Sequence, residues 1–215
     1  IIGGICGVGI PAAIQNLLNV TGMTVLNNFT SSFGADAVAA MGISQKINMV
    51  PINVALGFSQ GVMPLISYNY ASGNVSRMKK TLTFTMKINL TFMAALSLTY
   101  FLGAEFLISL FMKNPSIVSY GTRFLRGLCL GMPFLCMDFL AVGVFQACGL
   151  GRKSLVFAIL RKIVLEIPAL FVLNYLFPLY GLAYAQLTAE LILAAAAVIV
   201  LLKLFQKLQR ERTTA

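Results

Sequence analysis

Six acidic residues occur in the 215-residue chain, and three of them, Asp138, Glu166 and Glu190, fall well inside long apolar runs. A charge at the centre of a bilayer costs about 2.5–3.5 kcal/mol on insertion scales, so each buried carboxylate is a candidate for proton or cation handling. The three differ in their neighbours. Glu166 follows Lys162 by four residues, a spacing that pairs them on one helix face. Glu190 follows Gln186 by the same interval, so the amide can hold the carboxyl in either protonation state. Asp138 has no basic residue within one helical turn, and Pro133 nearby should bend its helix. Two readings of Asp138 stand: a direct role as a neutral or cation-bound carboxyl, or a protonated carboxyl hydrogen-bonded to another helix.

Other chemistries find few residues. There is no histidine and no paired-cysteine motif, which argues against a zinc site. Cys6, Cys129, Cys136 and Cys148 all lie in apolar runs and read as buried structural thiols. Cys129 and Cys136, seven apart, share a helix face but cannot bond to each other. No catalytic constellation, nucleotide fingerprint or phosphate-binding loop is evident, so the chain does not read as an enzyme and no cofactor is expected.

The elements that must carry these residues are membrane helices. The chain is 59% hydrophobic and 10% charged, with a mean hydropathy of +0.88. Soluble domains carry about 25% charged residues. Runs of roughly 20 apolar residues mark spans, and six are present: about Ile5 to Phe33, Ala37 to Asn69, Leu82 to Gly103, Tyr120 to Cys148, Leu155 to Phe177, and Gly181 to Leu204. The first, second and fourth end at Gly34, Gly73 and Gly149. The segment from Phe106 to Met112 is too short to span and reads as an interfacial turn of helix. The fold class expected is therefore all-α: one polytopic six-helix membrane lobe over residues 1–215.

The net charge of +10 follows the topology rather than a nucleic-acid footprint. Arg77, Lys79, Lys80, Arg152, Lys153, Lys203, Lys207, Arg210 and Arg212 fall in alternate connections, with Lys87, Arg161 and Lys162 toward the same side. Only Lys46, Lys113, Arg123 and Arg126 remain for the other side. The positive-inside rule then puts both ends of the segment in the cytoplasm. The chain opens at Ile1 in an apolar stretch, without the charged start of a signal peptide, and reads as a cut inside a longer protein.

The second run is unusually polar, and its polar groups should face protein or a water-filled cavity rather than lipid. Gln45, Asn48 and Gln60 are its cavity candidates, while Lys46 near the outer end reads as a snorkelling side chain. Pro11, Pro51, Pro64, Pro133 and Pro168 interrupt the spans and serve either close packing or hinging.

The ordered motifs resemble the multidrug and toxic compound extrusion (MATE) family, bacterial branch, second lobe. The match runs through Gly9–Pro11, then Gly57-Phe-Ser-Gln-Gly-Val-Met-Pro-Leu-Ile-Ser-Tyr-Asn-Tyr-Ala-Ser-Gly-Asn74, then Phe106–Phe111. It continues through Phe145–Arg152, Leu160–Pro168 and Gly181–Glu190, covering essentially the whole chain. The resemblance implies half of a twelve-span, two-lobe antiporter that exports organic, often cationic, compounds in exchange for Na⁺ or H⁺. The implied partners are membrane lipid, small-molecule drugs and an N-terminal lobe absent from this chain; the implied location is a bacterial plasma membrane. Some members hold a cation on an Asp of the helix matching the fourth run, which points to Asp138. They also use a Glu on the helix matching the first run, and this first run has no acid. Met49 and Met137 join the cavity candidates, although core packing also explains methionines. A flippase for lipids or lipid-linked saccharides is the competing reading; it would turn Arg123, Arg126, Arg161 and Lys162 to a basic lobe interface. A non-transporting fragment is the third.

Overall fold

A computed structural model describes the backbone of residues 2–213 and the side chains of residue 7 and residues 9–210. Cys6 and Arg212 therefore lie outside the described side chains. The described residues form helices and turns, with no strand. In chain order the helices are α1 (Ile2–Ser31), α2 (Ala35–Ala71), α3 (Val75–Leu102), α4 (Ala104–Ser109), α5 (Pro115–Cys129), α6 (Met132–Ala147), α7 (Gly151–Ile159), α8 (Ile167–Leu176) and α9 (Gly181–Thr213). A π-helical segment, Leu160–Glu166, joins α7 to α8 without a break.

Local chemistry explains where the helices stop. Gly73 and Gly149 take φ of 67° and 71°, values that side chains disfavour, and each closes a tight helix hairpin. Asn74 then starts α3 by accepting the Arg77 N–H on its side-chain oxygen at 3.1 Å. Asn114 caps α5 in the same way, through the Ser116 N–H, with Pro115 at the first helical position.

The bundle is built around α6. Its residues Leu135, Cys136, Asp138, Phe139, Leu140, Ala141, Val142, Gly143, Val144 and Phe145 are all buried. Short polar side chains of α2 hold the bundle together from the side. The Ser59 hydroxyl donates to the Phe139 carbonyl at 2.8 Å, and Ser67 donates to the Ala147 carbonyl at 2.9 Å. A Cβ at Gly143 would overlap the Ser59 hydroxyl, so glycine there sets how closely α2 and α6 pack.

The run expected from Tyr120 to Cys148 as one helix is two, α5 and α6, bent by 46° at Leu130–Gly131. Pro133, within the first turn of α6, supplies the break. The bend lies between Cys129 and Cys136, which nevertheless share one apolar cluster with Met93 and Met132. Cys129, Cys136 and Cys148 are all buried and free. The short segment expected as an interfacial turn is α4 and its following turn, with Ile108 buried and Phe106, Leu110 and Phe111 exposed.

Helices α2, α3 and α9 are each long and apolar enough to cross a membrane, as is the bent α5–α6 pair taken together. The outer face of α3 displays Phe84, Ile88, Phe92 and Leu98, and α1 displays Ile10, Leu17 and Val20. Such apolar exposure is expected where lipid or another protein surface replaces water.

Candidate functional site

Five ionisable side chains meet in the interior at the π-helical segment. Arg161, Lys162 and Glu166 come from that segment, Asp138 from α6 and Glu190 from α9. All five are buried, with Asp138 at 1% and Glu190 at 0% exposure. Pro168 accounts for the local helix form. An ordinary α-turn would drive the proline ring into the carbonyl four residues earlier. The wider turn relieves that clash: the Ile167 N–H bonds back to the Lys162 carbonyl, five residues away. The same widening lets two consecutive residues, Arg161 and Lys162, both point inward.

Arg161 serves two carboxylates. Its Nη1 donates to the Asp138 Oδ2 at 3.2 Å, and its Nε lies 3.0 Å from the Glu190 Oε1. The second contact is an ion pair whose alignment falls short of a hydrogen bond. The guanidinium also lies 4.9 Å from the centre of the Phe139 ring, which shields one of its faces. Lys162 serves one carboxylate: its Nζ is 2.7 Å from both oxygens of Glu166. A Cβ at Gly22 of α1 would sit 3.1 Å from the Lys162 Cδ and Nζ, so the bare glycine leaves room for the ammonium.

The Lys162–Glu166 pairing expected from the sequence spacing is present. Asp138 is not without a basic partner, as the sequence suggested; its cation comes from another helix, 23 residues away. Glu190 is held by Arg161 rather than by Gln186, whose side chain lines the adjoining cavity instead. The sequence placed Arg161 toward the cytoplasmic side, or at a basic lobe interface in the flippase reading, but gave it no carboxylate partner; the structure pairs it with Asp138 and Glu190. Its signal was present: an arginine inside an apolar run must find a countercharge.

Above this cluster opens a cavity of about 220 Å³ between α1, α2, α6 and α9. Asn19, Gln45, Asn48 and Asn53 supply amides, Met23, Met49 and Ile52 supply apolar surface, and Arg161, Lys162 and Glu166 form the charged wall. Among the described residues, the Gln45 Nε2 and the Asn48 Oδ1 find no hydrogen-bond partner there. Of the cavity candidates, Gln45, Asn48 and Met49 line this space. Gln60 does not; it is exposed about one turn beyond Leu56, the last α2 residue that lines the cavity. Met137 does not either; it packs beside Cys136 and Met132. Arg123 and Arg126 do not approach Arg161. They line a separate recess with Glu105 and Lys113, where Arg123 covers the Tyr180 ring and Arg126 the Phe101 ring.

A bundle of long apolar helices that buries a five-membered charge cluster under a small polar cavity belongs to the class of polytopic membrane proteins. Comparison narrows the class. The chain belongs to the MatE family, whose model matches residues 11–176; this is a family of membrane transporters. It is 35% identical over 202 residues to the multidrug export protein MepA of Staphylococcus saprophyticus, covering 94% of this chain and 44% of MepA. It is 35% identical over 209 residues to MepA of Staphylococcus haemolyticus, covering 96% and 45%. The chain thus spans less than half the length of these relatives. In fold it is similar to the Vibrio cholerae MATE transporter VcmN in the bent form, with a TM-score of 0.87 at 20% identity, covering 96% of this chain and 46% of VcmN. It is likewise similar to an outward-facing MATE family transporter of the MOP superfamily, with a TM-score of 0.90 at 21% identity, covering 96% and 47%.

Proposed function

We propose that this chain is the C-terminal six-helix lobe of an ion-coupled multidrug efflux antiporter. It works with an N-terminal lobe in a bacterial plasma membrane and exports organic, often cationic, compounds. Each of the six runs crosses the membrane once, and both ends of the segment face the cytoplasm. The observation that carries the reading is the buried cluster, in which two cations, Arg161 and Lys162, face three carboxylates, Asp138, Glu166 and Glu190. A buried charge is costly unless balanced, so the excess carboxylate favours taking up one positive charge from the aqueous phase. Loading and unloading that charge would reset the contacts of the π-helical segment with α6 and α9. Substrate would meet the amide and methionine wall formed by Gln45, Asn48 and Met49. The flippase reading calls for a net basic cavity, and the carboxylates beside Arg161 and Lys162 count against one.

Dye efflux from cells expressing the complete parent protein tests this, wild type against Asp138→Asn at equal membrane abundance, with proton and sodium gradients collapsed in turn. Efflux that needs a gradient and falls at least about tenfold in the variant supports coupling through this cluster. Full efflux in the variant would place the coupling carboxylate elsewhere. No efflux in wild type would refute drug export.

A further inference from the structure

Arg161 occupies an unusual place for a side chain. Its guanidinium sits between carboxylates of two different helices, 3.2 Å from Asp138 and 3.0 Å from Glu190, and is itself 5% exposed. Two acidic groups facing each other across α6 and α9 would otherwise be a natural seat for a free monovalent cation, since their charges need a countercharge in a medium that supplies none. The Phe139 ring lies alongside, and the guanidinium covers it at 4.9 Å. Lys162 cannot take over, because its ammonium is engaged by both oxygens of Glu166 against Gly22 of α1. Asp138, Glu166 and Lys162 also face Glu190 electrostatically, and Cys136, on α6 two residues before Asp138, is a buried thiol near it.

The geometry points to Arg161 as a tethered counter-ion: it fills the place between Asp138 and Glu190, so this lobe binds no sodium there. Its binding and release of charge is then left to protons, which need no room. The inference rests on the ion-coupled reading given above and names the residue that decides which ion the lobe can use. Arg161 acts by occupancy, as a specificity-determining residue. Its planar fork can span two acceptors at once, which a lysine ammonium on a flexible stem does less well.

Sodium binding is measured directly on the purified complete parent protein, by thermal unfolding in sodium chloride against choline chloride at one ionic strength. Transport is not needed for this readout, so its failure and that of the efflux reading are distinguishable. Wild type is expected to show no sodium-specific shift. Arg161→Gln, which empties the seat, is expected to gain an upward shift of about 2 °C or more in sodium, lost again when Asp138→Asn is added. Arg161→Lys is expected to stay insensitive to sodium. Should Arg161→Gln alone not fold, Arg161→Gln with Glu190→Gln removes one charge of each sign and carries the same test through Asp138. An Asp138-dependent sodium shift in wild type overturns the inference. So does the absence of a sodium shift in every folded variant lacking Arg161, which would make the arginine a structural tie and nothing more.

Discussion

Arg161 and Lys162 are neighbours in the chain, yet they solve the same electrostatic problem in opposite ways. Lys162 finds its carboxylate on its own helix, at Glu166, one turn away. Arg161 finds two carboxylates on two other helices, at Asp138 and Glu190. The local pair fixes little beyond its own turn. The distributed triad ties the π-helical segment to α6 and α9, so any change in its charge is felt by three helices together. The difference teaches that a buried charge couples elements only when its partners lie on different ones.

Breaking the triad should therefore cost most. Arg161→Leu leaves two buried carboxylates without a cation and is expected to destabilise the complete parent by about 3–5 kcal/mol. Membrane yield and thermal unfolding check this; a loss no larger than that of Lys162→Met would erase the contrast. Next come the two pairs compared as double-mutant cycles, Arg161→Gln with Asp138→Asn and Lys162→Gln with Glu166→Gln. Coupling energies of contacting residues run to about 0.5–3 kcal/mol, and the first cycle should lie near the top of that range and the second near the bottom.

Gly22→Leu is a smaller perturbation aimed at one member only. It drives a side chain into the Lys162 ammonium while leaving Arg161 untouched, at an overpacking cost of about 1–3 kcal/mol. The expected signature is weakened substrate binding at the cavity with unchanged gradient dependence of efflux. Altered ion dependence would show instead that the two systems act as one. Pro168→Ala should have the least effect on stability, about 1 kcal/mol or less. By allowing an ordinary α-turn, it is expected to rotate Arg161 and Lys162 relative to each other. Reduced efflux from folded protein, read at equal membrane abundance, is the outcome that identifies the π-helical turn as functional.

Several features are legible in the amino-acid sequence alone. The helix ends at Gly73 and Gly149 followed from local backbone chemistry, and both glycines adopt the positive φ that such turns require. The Lys162–Glu166 contact followed from helical periodicity alone. The break near Pro133 was also foreseen, but as a bend in one helix; the structure divides the run into α5 and α6 at Leu130–Gly131. The cavity was partly legible: Gln45, Asn48 and Met49 share one face of α2 and line it, whereas Gln60 on the same helix does not. Periodicity tells which residues share a face. It does not tell how far along a long helix the neighbouring helices draw apart to leave a space.

The sequence by itself determined the solvent, the helical class and the family, because hydropathy, turn residues and ordered motifs are local properties of the chain. It also determined that three carboxylates must lie in an apolar medium, and so must be balanced. Which cation balances which carboxylate was decided only by the tertiary structure. Asp138, Arg161 and Glu190 stand on three separate helices, and their meeting depends on the packing of α6 and α9 against a turn widened by Pro168. Distances between helices depend on the summed fit of many side chains, and no spacing along the chain encodes that sum.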